Sequence, residues 1–72
     1  MRTRFDVMPN EGKWELRRND HRLSAHERQD DAIEAGRSAA RSEQPSQLVV
    51  HGRDGKIRDE FIYESATAEA GP

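Results

Sequence analysis

Hydrophobic and polar residues alternate in two segments near the start of the chain. Residues 3–8 and residues 13–18 each carry large apolar side chains at every second position, with charged side chains between them. A period of two is typical of half-buried β-strands. Pro9 and Gly12 lie between the segments and favour a turn, so the pattern predicts a first β-hairpin. Its inward-facing residues would be Phe5, Val7, Trp14 and Leu16.

A short third strand is expected after this hairpin, over residues 21–25. Asn19 and Asp20 precede it, and both are residue types that favour turns. The third strand would carry Leu23 towards the core, and it would lead the chain directly into a segment with a different period.

The middle of the chain has a helical period. Over residues 27–42, apolar residues recur at three- and four-residue spacing, which places them on one face of a helix. Ser24 and Glu27 fit a capping box at its start, and Pro45 disfavours helical geometry just before it. Gly36 costs about 1 kcal/mol relative to Ala in a helix interior, so we expect close packing against the sheet there. The apolar face consists of Ala32, Ile33, Gly36, Ala39 and Ala40.

A second hairpin is predicted over residues 47–63. Asp54 and Gly55 form the strongest short-range hairpin signal, because a type I′ turn needs positive φ at both central residues. The register that follows pairs Leu48 with Phe61, Val50 with Asp59, and Gly52 with Ile57. Asp59 then shares an apolar face, a conflict that either a position at the sheet edge or a β-bulge would resolve.

These elements predict a two-layer α+β fold. An N-terminal β-hairpin or meander precedes one α-helix and a C-terminal β-hairpin, and the helix packs on one face of an antiparallel sheet. Residues 1–63 would form this single domain, and residues 64–72, which are small and polar, a disordered tail. The predicted core consists of Phe5, Val7, Trp14, Leu16, Leu23, Ile33, Ala40, Leu48, Val50, Ile57, Phe61 and Tyr63.

Composition restricts what a chain of 72 residues can hold. Only 32% of its residues are hydrophobic, so the core must be thin, and self-association would add burial. Cysteine is absent, which excludes disulfides and thiolate metal sites. No apolar run approaches the roughly 20 residues of a membrane span, and the first residues lack the apolar region of a signal peptide. We therefore expect a cytoplasmic protein.

Several short motifs carry a resemblance to a known family. They are, in order, Val7-x-Pro9, Gly12-x-Trp14-x-Leu16, Arg22-x-Ser24, Ala32-Ile33-x-Ala35-Gly36-Arg37-x-x-Ala40, Leu48-Val49-Val50-His51-Gly52-x-Asp54-Gly55-x-Ile57 and Tyr63. With them, the chain resembles the small bacterial domain of unknown function 2188 family from about residue 5 to residue 63. The resemblance implies an α+β domain with hairpins flanking one helix. It implies no established activity, cofactor or catalytic residue.

The titratable residues form no catalytic or metal-binding pattern in the sequence. His21 and His26 are five residues apart, which suits neither a helical nor a strand ligand pair. Adjacent carboxylates, at residues 30–31 and 59–60, point apart on a helix or strand. The serines lack a nucleophile elbow. The sequence therefore predicts a protein that is not an enzyme and that holds no cofactor and no metal.

Two functional hypotheses remain, and both concern binding. The first is a non-catalytic interaction or accessory protein whose partner is another protein or a second copy of the chain. Val49 and Ile62, apolar residues on the outward side of the second hairpin, are its candidate interface. The alternative is a nucleic-acid-binding module with a basic sheet face and hairpin tip, although the formal net charge is −2. Its candidate residues are Arg17, His51, Arg53, Lys56 and Arg58.

Overall fold

Five β-strands and one α-helix make up the protein within residues 2–64, the part of the chain that this computed structural model describes. The predicted α+β class is confirmed, and the expected third strand is present. The predicted tail lies outside the described residues from residue 65 onwards. The elements are β1 (Thr3–Asn10), β2 (Lys13–Arg18), β3 (His21–His26), α1 (Gln29–Ser42), β4 (Ser46–His51) and β5 (Ile57–Tyr63).

The strands form one mixed sheet in the order β3-β2-β1-β4-β5. β1 and β4 are parallel, whereas the other neighbouring strands are antiparallel. The prediction of a purely antiparallel sheet is therefore wrong at the junction between β1 and β4. The physical reason is the crossover: α1 carries the chain from β3 across the sheet, so β4 runs in the same direction as β3 and β1.

Helix α1 lies over one face of the sheet and contacts β1, β2, β3 and β4. The helix can approach closely because small residues line its buried side. A Cβ atom added to Gly36 would stand 2.9 Å from Cδ1 of Leu48 and 3.1 Å from Cδ1 of Leu16. The expected close packing at Gly36 is therefore present. Within residues 2–64, no helix is long and apolar enough to cross a membrane.

Most of the predicted core residues lie in the core. Ile33, Phe61 and Tyr63 are partly buried and pack against it, whereas Leu23 and Ile57 are exposed. The predicted core residues that are buried are Phe5, Val7, Trp14, Leu16, Ala40, Leu48 and Val50.

A β-bulge explains the exposure of Leu23. Leu16 pairs with Ser24 and Arg17 pairs with Arg22, so the register between β2 and β3 shifts at this point and Leu23 has no partner. Leu23 is consequently 49% exposed, and its predicted place in the core is wrong. The extra residue of a bulge is left outside the regular alternation of the strand.

The helix begins later than its capping signal indicated. β3 continues to His26, and Ser24 therefore lies in a strand, where its hydroxyl is 2.8 Å from Nε2 of His26. Arg28 occupies the N-cap position with no side-chain capping hydrogen bond, and the helix starts at Gln29. The predicted capping box is wrong because strand pairing with β2 extends over the residues that would have formed it.

The tight turns between the first three strands use left-handed backbone. The first turn consists of Glu11 and Gly12, with φ of 52° and 82°, and β1 extends through Pro9 to reach it. The second turn consists of Asn19 and Asp20, as expected, with φ of 48° and 74°. Positive φ at both central residues is the geometry that matches the twist of two-residue hairpins.

The second hairpin keeps the predicted register but turns differently. Leu48 pairs with Phe61 and Val50 pairs with Asp59, as predicted. A β-bulge after Val50 then pairs His51 with Ile57, which leaves Ile57 61% exposed instead of buried. Asp59 is exposed on the last strand of the sheet, so an edge position resolves the conflict noted in the sequence.

The loop of this hairpin spans residues 52–55. The amide of Gly55 donates to the carbonyl of Gly52 at 2.9 Å, and Gly55 has φ of 85°. The Asp54 carboxylate accepts from the amide of Lys56 at 3.0 Å. The predicted two-residue type I′ loop is therefore wrong, because Gly55 takes the left-handed position alone while Asp54 caps the following amide.

Candidate interaction surfaces

The sheet face opposite α1, hereafter the outer face, carries two carboxylates that are almost fully buried. The side chains of Asp6 on β1 and Glu15 on β2 are only 10% and 4% exposed. Alternation places them here, because their neighbours Phe5 and Leu16 point into the core. Their burial is not predictable from the sequence, since alternation alone assigns both residues to a solvated face. Long arginine side chains that lie along the strands cover them.

Glu15 accepts hydrogen bonds from three side chains. Nδ2 of Asn10 donates at 2.6 Å, Nε of Arg17 at 3.0 Å and Nη1 of Arg22 at 3.4 Å. The hydrogen bond from Asn10 and the two nearby guanidinium groups lower the pKa of Glu15, and burial opposes them without reversing the direction. Glu15 is therefore held as a carboxylate that links β1, β2 and β3.

Asp6 is the centre of a second cluster on the outer face. Arg4 donates to its carboxylate from Nε at 3.1 Å and from Nη2 at 3.0 Å. Nε2 of His51, on β4, lies 3.1 Å from Oδ1 of Asp6. Both oxygens of the carboxylate accept hydrogen bonds. The cluster joins β1 to β4 and presents arginine edges to solvent, and it leaves no free carboxylate oxygen for acid–base work.

The two residues of the predicted protein interface differ in exposure. Val49 is 1% exposed, because the side chains of the outer face cover it, and only Ile62 is accessible, at 46%. Val49 and Ile62 do lie on the same side of the sheet, since Gln47 pairs with Ile62 and Val49 pairs with Glu60. Of the two candidate residues, it is therefore Ile62 on β5 that can contact a partner.

The predicted nucleic-acid-binding residues do not form one patch. Arg17 and His51 lie on the outer face, where each is paired with a buried carboxylate. Arg53 extends to the other side of the sheet, with its guanidinium carbon 5.9 Å from the centre of the Trp14 ring. Lys56 is exposed and follows the hairpin loop directly. Arg58 lies along Gly52, where an added Cβ would stand 2.7 Å from Cδ of Arg58.

A cleft follows the edge of Trp14 at the end of the sheet where β1 and β4 finish. One part, of about 200 Å³, lies beside the first hairpin turn, and a second, of about 330 Å³, lies beside the start of α1. Trp14 and Arg53 line both parts, and Trp14 itself is only 6% exposed. The walls are mainly charged side chains at the surface, so the cleft offers little of the apolar lining typical of ligand sites.

The histidines are spread over the fold. Within residues 2–64, no group of three or more histidine and carboxylate side chains lies close enough to hold a metal ion. The hydroxyl of Ser24 lies 2.8 Å from Nε2 of His26, a contact that was not among the predictions from the sequence. Alternation along β3 would have revealed it, because residues two apart in a strand share a face. Among the described residues, no carboxylate is hydrogen-bonded to His26, so the pair lacks the orienting group of a catalytic triad.

Strand β5 forms one edge of the sheet, and we call its free side the β5 edge. Ile57 and Ile62 are 61% and 46% exposed there. On the helix side, Arg37 lies over the Phe61 ring with its guanidinium carbon 5.2 Å from the ring centre, and its Nε donates to the Tyr63 hydroxyl at 3.3 Å. Within residues 2–64 no further strand pairs with β5, so this side presents backbone donors and acceptors beside exposed apolar side chains.

The fold and these surfaces define a small α+β domain with an open sheet edge. The chain belongs to the family described as "Uncharacterized protein conserved in bacteria (DUF2188)", which matches residues 5–63. The resemblance noted from the sequence is thereby confirmed. No curated protein and no solved structure matched the chain.

Proposed function

We propose that the protein is a non-catalytic interaction protein that binds an extended segment of a protein partner along the β5 edge. The observation that carries this proposal is the combination, on one strand, of an open edge with two exposed isoleucines, Ile57 and Ile62. An extended peptide can add a strand to such an edge, with main-chain hydrogen bonds giving affinity and alternate side chains giving specificity.

The composition of β5 supports an edge that binds selectively. Its central residues Arg58, Asp59 and Glu60 are exposed and charged, and charges on an edge strand protect it from indiscriminate pairing. A partner segment must therefore place suitable charges opposite them, which is a means of selecting one partner. A cytoplasmic location is part of the expectation from the sequence.

Nucleic-acid binding is the less favoured alternative. Arg17 and His51 hold buried carboxylates, so phosphate groups would have to compete with existing ion pairs. Arg53 extends towards Trp14, away from those two residues. Binding to a groove or a single strand of nucleic acid needs a continuous basic surface on the protein. The positions of Arg17, His51 and Arg53 give little support for such a surface.

The proposal is tested by selecting peptides from a random extended-peptide display library against the immobilised full chain. A selected peptide is then added to isotopically labelled protein, and the amide NMR spectrum is recorded. Binding at the β5 edge is expected to move amide peaks of Ile57–Tyr63. Ile62→Lys, which changes an exposed side chain, should abolish the shifts, whereas Leu23→Lys on the opposite edge strand should not.

The same spectra distinguish the alternative. Mixed-sequence DNA and RNA are added to labelled protein at low salt, and the salt concentration is then raised. We expect no specific shifts. Shifts around Arg17 and His51 that disappear with salt would favour the nucleic-acid function, and the absence of any selected peptide that contacts β5 would contradict the proposed one.

A further inference from the structure

We propose that the segment bound at the β5 edge is β5 of a second copy of this chain, which joins two five-stranded sheets into one continuous sheet. This inference rests on the proposed function and names the partner. It depends on the sequence of β5, Ile57-Arg58-Asp59-Glu60-Phe61-Ile62-Tyr63, and on Glu64, which follows it. The charges of this segment select one symmetric pairing.

A symmetric antiparallel pairing of two β5 strands has few possible registers. Directly opposite residues lie on the same face, so the two-fold axis must pass through a single residue position. An axis at Arg58, Asp59 or Glu60 sets that charged residue opposite its own copy. An axis at Ile62 sets Glu60 opposite Glu64 of the second copy. Like charges directly opposite each other on a sheet are destabilising, and axes at the strand ends pair too few residues.

An axis at Phe61 avoids every one of these repulsions. It sets Arg58 opposite Glu64 of the second copy, and the symmetry makes this ion pair occur twice. It sets Phe61 opposite its own copy, Asp59 opposite Tyr63, and Glu60 opposite Ile62. Opposite charges and aromatic pairs are favourable cross-strand neighbours. The charge pattern of β5 is therefore complementary to itself in one register.

The surroundings of β5 leave this register accessible. The side chain of Glu60 is turned towards β4, where it accepts from Nε2 of Gln47 at 3.0 Å. Glu64 is 55% exposed, and its contact with Arg2 at 3.2 Å occupies one of its two oxygens. The helix packs over β1 to β4 and reaches β5 through Arg37, so a second sheet can continue beyond β5 without meeting the helix backbone.

The measurement that tests this inference is sedimentation equilibrium of the full chain from micromolar to millimolar concentration. Wild-type protein is expected to dimerise reversibly. Arg58→Glu should weaken dimerisation by about tenfold or more, because both symmetric ion pairs become repulsive. Reversing the pair, Arg58→Glu with Glu64→Arg, should restore it. Arg41→Glu, the same charge change at an exposed helix residue, should leave it unchanged.

The position of the contact is checked in a mixed sample of labelled and unlabelled chains. Isotope-filtered NOEs between the Phe61 rings of the two copies are expected. A chain that is monomeric at all concentrations, or a dimer that neither Arg58→Glu weakens nor the reversed pair restores, overturns the inference. If selected peptides still bind the β5 edge of such a protein, the proposed function stands and only the identity of the partner is wrong.

Discussion

Single residues stabilise the outer face of the sheet, which no helix covers within residues 2–64. Asp6 and Glu15 would be costly to bury alone, since an unpaired buried charge strongly destabilises a fold. Each is surrounded by arginine and by one neutral or titratable partner, Asn10 for Glu15 and His51 for Asp6. Val49 pairs with Asp6 across β1 and β4, beside the Asp6 cluster, and is 1% exposed.

Glu15→Gln is expected to lower the free energy of unfolding at pH 7 by about 1–2 kcal/mol, because charge-assisted hydrogen bonds from arginine are weakened. The pKa of Glu15 is lowered in the folded state. Its stabilisation is therefore present above the unfolded pKa, near 4.5, and is lost as the pH falls through the folded pKa. The difference between the variant and wild type should shrink below pH 4.5, as measured by urea denaturation across pH.

A matched control for this prediction is Glu34→Gln, at an exposed helix position. It should change stability by a few tenths of a kcal/mol at most. A difference between Glu15→Gln and wild type that stays constant from neutral to acidic pH would contradict the assigned role of Glu15.

At the scale of elements, irregular positions decide where side chains point. The bulge opposite Leu16 turns Leu23 out, and the bulge after Val50 turns Ile57 out. A strand has a period of two, so one extra residue moves a side chain out of the face that its position predicts. In the second hairpin, the bulge is followed directly by the loop over residues 52–55. The amide of Gly52 donates to the carbonyl of Lys56 at 2.8 Å, which closes this loop.

The geometry of this loop predicts that substitution of either signal residue, Asp54 or Gly55, destabilises the protein. Gly55→Ala should cost about 1–2 kcal/mol, since φ of 85° is left-handed, and Gly55→Asn should cost less, because Asn tolerates this region. Asp54→Gly should destabilise by about 0.5–1 kcal/mol through lost capping and added chain entropy. In a type I′ loop Asp54→Gly would instead stabilise, so thermal denaturation of these variants separates the two loops.

At the scale of the whole molecule, the crossover places β1 at the centre of the sheet and leaves β3 and β5 at its edges. β1 is paired on both sides and lies beneath α1. Local stability follows this order, because central strands open only with the whole domain, whereas edges fray separately.

Amide hydrogen exchange should therefore be slowest in β1 and β4 and faster in β3, under conditions where exchange reports opening equilibria. β5 is the informative strand. Its protection should rise with protein concentration if a second copy pairs with it, while β3 stays unchanged at every concentration. Equal protection of β3 and β1 would contradict the strand order.

Local signals in the sequence determined the elements of this protein, and longer-range contacts decided their arrangement. The strand alternation around Phe5 and Trp14, the small-residue stripe around Gly36 and the pairing of Leu48 with Phe61 depend on neighbours in the chain, and each was predictable for that reason. The exposed Leu23 and Ile57, the unused capping box at Ser24 and the parallel junction of β1 with β4 depend on pairing between strands. Likewise, the buried carboxylates Asp6 and Glu15 and the open β5 edge follow from strand order, because only the assembled sheet brings arginine side chains over the acids and leaves β5 outermost.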